Sequence, residues 1–350
     1  MKKKICMGLL SVLLILLLLT ACTGGDVPSE PAATEPSQAA TTEKPTRLEI
    51  VTPPNRTRYE NGDTFDPAGM VIQARYADGT VRAVEDYKIR NGNPIKLTDN
   101  LVLISYEGLF AQQPISVTHR GNNDGYSVAQ TQPLAESVLT GKTVLWLGSS
   151  VTYGAHSEGE SMADFVAVRN GMNCIKEAVS GTLLADVQTA SGKKSYVARF
   201  KDYLAAGGGD EAIDAFICQL STNDANSPEV FGEITGSDVR DIAAFDTATT
   251  FGAIEYLIAT AQQTWDCPVI FYTNCYYEDA NYRTMVDGLK EIARKWDIVI
   301  INLYDDAVFN DISEEDHALY MSDRVHPTRA GYREWWTPKF EEVLRAVFTQ

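Results

Sequence analysis

Three short motifs contain residue types suited to acyl transfer, and each follows an apolar run of the chain. The motifs are Gly148-Ser149-Ser150, Ser221-Thr222-Asn223-Asp224 and Asp323-Arg324-Val325-His326. Together they offer a hydroxyl nucleophile, an amide donor for a developing oxyanion, and an imidazole base with a carboxylate that orients it. Since residues three apart on a turn share a face, Asp323 can reach the Nδ1–H of His326, which leaves Nε2 free for Ser150.

The elements that must position these residues are strands of a parallel sheet. The apolar runs at 143–147 and 215–220 have the pattern of strands buried on both faces. Gly148 allows a tight turn that presents Ser150 at the carboxyl edge of the sheet. Asn223 follows the second run and is expected at the same edge. Runs at 174–179, 268–273 and 298–303 predict further strands, and 251–265 and 282–296 predict crossover helices. The sequence therefore predicts a three-layer α/β/α domain of flavodoxin-like order over residues 140–350.

Each motif alone occurs more often for structural reasons. A Gly-Ser-Ser turn, an Asn-Asp loop cap and an Asp-x-x-His helix start are all common without any chemistry. Their conjunction at strand ends of one α/β domain favours a serine hydrolase. The α/β-hydrolase fold is the closest alternative, but its nucleophile turn needs Gly two residues after the serine, where this chain has Thr152.

The motifs resemble the four sequence blocks of the SGNH, or GDSL-like, hydrolase family. The segment L-G-S-S-V-T-Y-G at 147–154 resembles the first block, and A-V-S-G-T at 178–182 the second. S-T-N-D at 221–224 resembles the third block, and S-D-R-V-H-P-T at 322–328 the last. Two positions depart from the family, because Ser149 stands where it usually has Asp and Ser221 where it usually has Gly.

This resemblance implies a role for each matched residue. Ser150 would be the nucleophile, with His326 as its base and Asp323 orienting that base. The backbone N–H groups of Ser150 and Gly181 and the side-chain amide of Asn223 would form the oxyanion hole. The implied activity is hydrolysis of carboxylic esters through an acyl-enzyme.

The N-terminal residues predict secretion and lipid anchoring. Three lysines and an apolar run at 9–19 precede Leu19-Thr20-Ala21-Cys22, which is typical of a lipoprotein signal peptide over residues 1–21. Lipidation of Cys22 is favoured over a membrane-spanning anchor, since the run is shorter than the ~20 residues that a span needs. The Pro- and Thr-rich segment 22–46 predicts a disordered tether. We thus expect a protein on the extracellular face of a bacterial membrane.

A second domain is predicted between this tether and the hydrolase region. Short alternating runs over residues 47–120, with Asp78-Gly79 as a hairpin turn, predict a small β-sandwich. The pattern, including Tyr-Glu-Asn-Gly-Asp-Thr-Phe-Asp at 59–66, resembles bacterial Ig-like domains. A spacer role is favoured over wall or glycan binding, and residues 121–139 form a connection.

Charge and cysteine content limit the ligands. The net charge is −17, and removal of the three signal lysines would make it about −20, which argues against nucleic acid. The six cysteines match no zinc spacing and HExxH is absent from the sequence, so we predict no metal and no cofactor.

Three local features carry their own expectations. His156, six residues after the nucleophile, is expected to be a solvated loop histidine. The segment 225–246 is long for a loop between strand and helix and is a candidate wall of the substrate cleft. Thr337 is predicted to cap a last helix, with Pro338 at the first helical position.

The surface context favours an O-acetyl group on extracellular polysaccharide as the substrate. A lipid esterase or lysophospholipase is the alternative enzyme, and it requires a hydrophobic trough beside Ser150. A non-catalytic adhesin or glycan-binding lipoprotein is the alternative of another class, and the complete triad argues against it.

Overall fold

The computed structural model describes residues 43–349. The predicted signal peptide at 1–21, the lipidation site Cys22 and most of the predicted tether at 22–46 lie outside the described residues. Within the described part of the chain, no helix is long and apolar enough to cross a bilayer.

Residues 47–118 form a small β domain. Its strands are β1 (Arg47–Thr52), β2 (Arg58–Glu60), β3 (Val71–Arg75), β4 (Val81–Ala83), β5 (Lys88–Ile89), β6 (Leu101–Tyr106), β7 (Leu109–Pro114) and β8 (Ser116–Thr118). One antiparallel sheet has the order β1-β3-β4, another has β5-β6-β7, and β2 pairs in parallel with β8. Alternate residues such as Ile72, Ala74, Val102 and Ile104 meet in one core. The predicted Asp-Gly hairpin between β3 and β4 is confirmed, and two antiparallel sheets that share one core are consistent with the predicted β-sandwich.

Residues 140–349, the described part of the predicted α/β domain, contain one five-stranded parallel sheet. Its strands are β9 (Thr143–Gly148), β10 (Asn173–Ala178), β11 (Ala215–Gln219), β12 (Val269–Tyr272) and β13 (Val299–Ile301). The order is β10-β9-β11-β12-β13, which is the flavodoxin-like order predicted from the sequence. All neighbouring pairs run parallel.

Helices cover both faces of this sheet. They are α1 (Ser150–Tyr153), α2 (Met162–Asn170), α3 (Tyr196–Ala205), α4 (Thr250–Trp265), α5 (Ala280–Trp296), α6 (Glu314–Tyr320) and α7 (Thr337–Phe348). Because side chains alternate along a strand, Leu145 and Leu147 of β9 face one core with α3, α4 and α5. Val144 and Trp146 face the other core with α2 and α7. The three-layer prediction is therefore confirmed.

The helix α7 begins at Thr337, but the predicted capping role of Thr337 is wrong, because Thr337 is itself the first residue of the helix. Residues Gly331–Trp336 already form a π-helical segment that runs directly into α7, and Thr337 itself has helical angles of φ −52° and ψ −45°. Buried Trp336 and Phe340 stack on one face, which keeps the chain helical across the junction. Pro338 is the second residue of α7, where the chain passes from the π-helical to the α-helical hydrogen-bond pattern.

Candidate active site

The turn after β9 presents Ser150 at the carboxyl edge of the sheet. Gly148 ends the strand and Ser150 opens the short helix α1. A Cβ at position 148 would lie 1.7 Å from Oγ1 of Thr152, so only glycine fits this close approach. Since β9 has β10 on one side and β11 on the other, Ser150 lies at the point where the strand order reverses. Ligands of open α/β sheets bind in the crevice at this point.

The structure brings Ser150, Asp323 and His326 together as the sequence predicts. Nε2 of His326 lies 2.8 Å from Oγ of Ser150. Nδ1 of the same ring lies 2.8 Å from Oδ2 of Asp323. With the ring proton on Nδ1, Nε2 is free to accept the serine proton, which is the geometry of a nucleophile and its oriented base.

Asp323 is held ionised by its own turn. The backbone N–H groups of Val325 and His326 both donate to its Oδ1 at 2.8 Å. Burial by itself would raise the pKa of Asp323, but the hydrogen bonds from the His326 side chain and from these two N–H groups outweigh it and hold the pKa well below its usual range. Asn274, just after β12, donates to the Val325 carbonyl at 3.1 Å and fixes the turn to the sheet edge.

The three predicted oxyanion donors lie on the segments that follow β9, β10 and β11. Gly181 has a φ of +76°, a conformation that favours glycine. Within residues 43–349, the N–H groups of Ser150 and Gly181 donate to no protein acceptor. The Asn223 amide donates one hydrogen to the carbonyl of Thr182 at 2.9 Å, which fixes the side chain and leaves its second N–H for a ligand. Ser221, where the family usually has Gly, accepts the backbone N–H of Asn223 at 3.1 Å.

His156 lies in a turn and its side chain is 44% exposed, as expected of a solvated loop histidine, but it also contacts the triad. Its ring stacks on His326 with centroids 4.3 Å apart and planes at 25°. Its Nδ1 lies 3.4 Å from Oδ2 of Asp323. No sequence pattern predicts these contacts, because the turns after α1 bring His156 against residues that lie far away in the sequence.

The site also contains three possible metal ligands, His156, Asp323 and His326, whose ligand atoms lie within 4.8 Å of one another. Ring nitrogen lone pairs lie in the ring planes, and two planes stacked at 25° do not direct theirs to one point. In addition, Nδ1 and Nε2 of His326 are already directed at Asp323 and Ser150. The arrangement therefore fits a hydrogen-bonded triad better than a metal centre.

Two buried charged residues that sequence analysis missed hold the loops of the site together. Asp224 accepts the N–H groups of Leu184 and Ala185 at 2.8 and 3.2 Å, which ties the Asn223 loop to the Gly181 loop. Arg199 of α3 donates to the carbonyls of Gly148 and Glu177, both at 2.7 Å, and so joins the ends of β9 and β10. Burial raises the pKa of Asp224 and lowers that of Arg199.

A cleft of about 400 Å³ opens beside the triad. Its lining residues are Thr222, Asn223, Asn226, Tyr277, Asp323, Arg324, Val325 and His326. From the segment 225–246, which we expected to form a wall, Asn226 reaches this cleft, whereas Phe231 and Phe245 are buried in the core. Arg324 lies over the Tyr277 ring at 5.4 Å and 3.6 Å from Asp279, on the rim of the cleft.

Comparison with known families identifies the class of protein. Residues 146–334 match the model of the GDSL-like lipase/acylhydrolase family. The match spans more than half of the chain and includes Ser150, Gly181, Asn223, Asp323 and His326. The chain belongs to this family, and its class of activity is that of a serine esterase.

Two solved structures illustrate the similarity to known proteins. A member of the lipolytic G-D-S-L family from Veillonella parvula is 18% identical, with a TM-score of 0.41, and the alignment covers 58% of this chain and 97% of that one. A protein from Lactobacillus plantarum is also 18% identical, with a TM-score of 0.46 and coverage of 59% and 98%. No curated protein sequence matches this chain.

Proposed function

We propose that this protein is a lipid-anchored esterase that removes O-acetyl groups from extracellular polysaccharide. The observation that carries the proposal is a complete Ser-His-Asp triad beside an open cleft lined mainly by polar side chains.

The proposed reaction follows from the triad geometry. His326 takes the proton from Oγ of Ser150 as that oxygen bonds to the ester carbonyl carbon. The oxyanion is stabilised by the N–H groups of Ser150 and Gly181 and by the Asn223 amide. His326 then gives its proton to the leaving sugar oxygen, and the acetyl group stays on Ser150. A water molecule, deprotonated by His326, releases acetate and restores the serine.

The cleft chemistry supports a sugar substrate over a lipid. Thr222, Asn226 and Arg324 offer hydroxyl, amide and guanidinium groups that can bond sugar hydroxyls. A long acyl chain would need an apolar trough, and Val325 is the one aliphatic residue among those that line this cleft.

The proposed location rests on the N-terminal sequence. Cleavage before Cys22 would leave a cysteine for lipidation, and two or three acyl chains would make the attachment stable. The tether of 24 residues after Cys22 would span about 25–30 Å as a flexible coil. We assign the β domain, which resembles Ig-like modules in sequence, as a spacer between this tether and the esterase.

The experiment compares acyl groups and alcohol groups separately. Purified full-length protein is assayed on acetylated xylan oligosaccharides and on p-nitrophenyl esters from acetate to octanoate, with Ser150→Ala as the blank. We expect acetate release from the oligosaccharides and a kcat/KM that is highest for acetate. A kcat/KM that rises steadily to octanoate, with no acetate released from sugars, would replace this proposal with the lipid-esterase alternative.

A further inference from the structure

The base of the triad has a second histidine against its face. His156 and His326 stack at 4.3 Å, and both approach the same carboxylate, with Asp323 at 3.4 Å from His156 and 2.8 Å from His326. The Asp323 side chain is 41% exposed, whereas that of His326 is 20% exposed. His156 therefore covers one face of an imidazole whose partner residue lies at the surface.

His156 is itself fixed by the segment that joins the two domains. Nδ2 of Asn122 donates to the His156 carbonyl at 2.7 Å. Oδ1 of the same amide accepts the backbone N–H of Arg329 at 2.9 Å, three residues beyond His326. One side chain thus links the backbone of the loop that carries His156 to the loop that carries the base. The His156 ring, which is 44% exposed, is placed by its stack on His326 and its approach to Asp323.

A neutral His156 suits this position better than a charged one. During the reaction His326 becomes an imidazolium, and a second cation stacked on it would oppose that charge. The groups that face His156 are His326 and Asp323 of the same loop, while the connection contributes the uncharged Asn122. The pKa of His156 is lowered by burial first and by His326 second, against the opposing effect of Asp323, which favours the neutral ring.

We propose that His156 is a positioning residue, which holds the His326 ring in line between Asp323 and Ser150 and is itself held by Asn122. The inference rests on the proposed function only in taking His326 as the base for Ser150. A bare ring face would let the imidazole rotate away from Ser150, and a misplacement of about 1 Å can cost a factor of about 10² in rate.

The first test distinguishes the effect of the ring's shape from the effect of its nitrogen atoms. His156→Ala removes both, and we expect kcat to fall about 10- to 100-fold with KM unchanged within about twofold. His156→Phe keeps a ring of similar shape, and we expect it to recover most of the lost kcat. His317→Ala, on the exposed helix α6, is the matched control and should behave as wild type. Melting temperatures are compared so that a folding defect is recognised.

The pH dependence of kcat/KM is a second test, because a purely structural role of His156 would not change its slope. In the wild type, kcat/KM should fall with a limiting slope of two at low pH, because protonation of His326 removes the base and protonation of His156 draws Asp323 away from it. In His156→Phe the slope should be one. Equal kcat for His156→Ala and wild type, or equal losses in the Ala and Phe variants with the slope still two, would overturn the proposal.

A fluorophosphonate probe makes this test independent of the ester chosen. The probe phosphonylates an activated serine, so its labelling rate at Ser150 reports the His326–Ser150 pair directly. If the wild type is labelled but the polysaccharide is not deacetylated, the proposed substrate fails while His156 can still be tested by labelling rates. If the wild type is not labelled at all, the proposed function fails at its first step and the inference fails with it.

Discussion

The side-chain oxygen of Gln219 accepts a hydrogen bond of 2.9 Å from the backbone N–H of Ser149. It also accepts the hydroxyl of Thr152 at 2.9 Å. Gln219 is the last residue of β11 and is 1% exposed, so a buried amide of one strand fixes the nucleophile turn that follows the neighbouring strand. The Ser149 position, where the family usually has Asp, is thus held by a partner inside this sheet.

Gln219→Ala should therefore lower stability and activity together. It leaves the buried Ser149 N–H without its acceptor, which costs about 1–3 kcal/mol, whereas the Thr152 hydroxyl keeps its hydrogen bond with Tyr272. The loosened turn should reduce kcat about tenfold or more with little change in KM. Thermal unfolding and steady-state kinetics measure both effects. An unchanged melting temperature would show that water replaces the amide and that the turn does not depend on Gln219.

Asn223→Ala should act on kcat rather than on KM. The amide hydrogen that is not bonded to Thr182 is available for the oxyanion, and loss of one such donor typically costs about 10²–10³ in kcat. Asn226→Ala, in the same cleft, is the comparison, and it should change KM more than kcat. A loss of equal size in the affinity of a ground-state analogue would argue against the oxyanion role of Asn223.

The pH dependence of activity should reflect protonation of His326 and not of Asp323. Because the pKa of Asp323 lies well below its usual range, this carboxylate stays ionised throughout the range from pH 5 to 8. Activity should therefore fall at low pH without protonation of Asp323, since protonated His326 cannot act as base. A kcat/KM that does not fall as the pH is lowered is incompatible with His326 as the base.

Asp323→Asn should lose activity while keeping the turn. The amide can still accept the N–H groups of Val325 and His326, but it no longer favours the ring proton on Nδ1. By analogy with other Ser-His-Asp sites, kcat should fall by up to about 10⁴-fold. Kinetics at several pH values, together with circular dichroism, separate this effect from misfolding. Near-normal kcat in the variant would remove Asp323 from the mechanism.

Cys22 should carry lipid and become the first residue of the mature protein. The motive is Leu19-Thr20-Ala21-Cys22 at the end of the apolar run. Mass spectrometry of membrane-purified protein should show acyl chains on residue 22. The same protein should partition into the detergent phase. Cys22→Ser should release or misprocess the protein with unchanged kcat. An unmodified cysteine in membrane-purified protein would refute the anchor.

The parts of the site that lie close together in sequence were predictable, and those joined across the sheet were not. The spacing of Asp323 and His326 and the apolar runs before Ser150 and Asn223 placed these residues correctly, because turn and strand geometry are local. Arg199 and His156 act through contacts with residues far away in the sequence, which no periodicity reports. The sequence does contain an indication of the role of Gln219, because it is the one strongly polar residue in the otherwise apolar run 215–220.

The central claim is that Ser150 is the nucleophile, and Ser150→Ala tests it most directly. The variant removes one oxygen from a side chain that is only 6% exposed, so folding should be preserved and the melting temperature should stay close to that of the wild type. We predict that kcat for acetyl ester hydrolysis falls about 10⁴-fold or more and that fluorophosphonate labelling, mapped to Ser150 in the wild type by peptide mass spectrometry, disappears. Near-wild-type hydrolysis by the variant, or a label on another serine, would contradict the account.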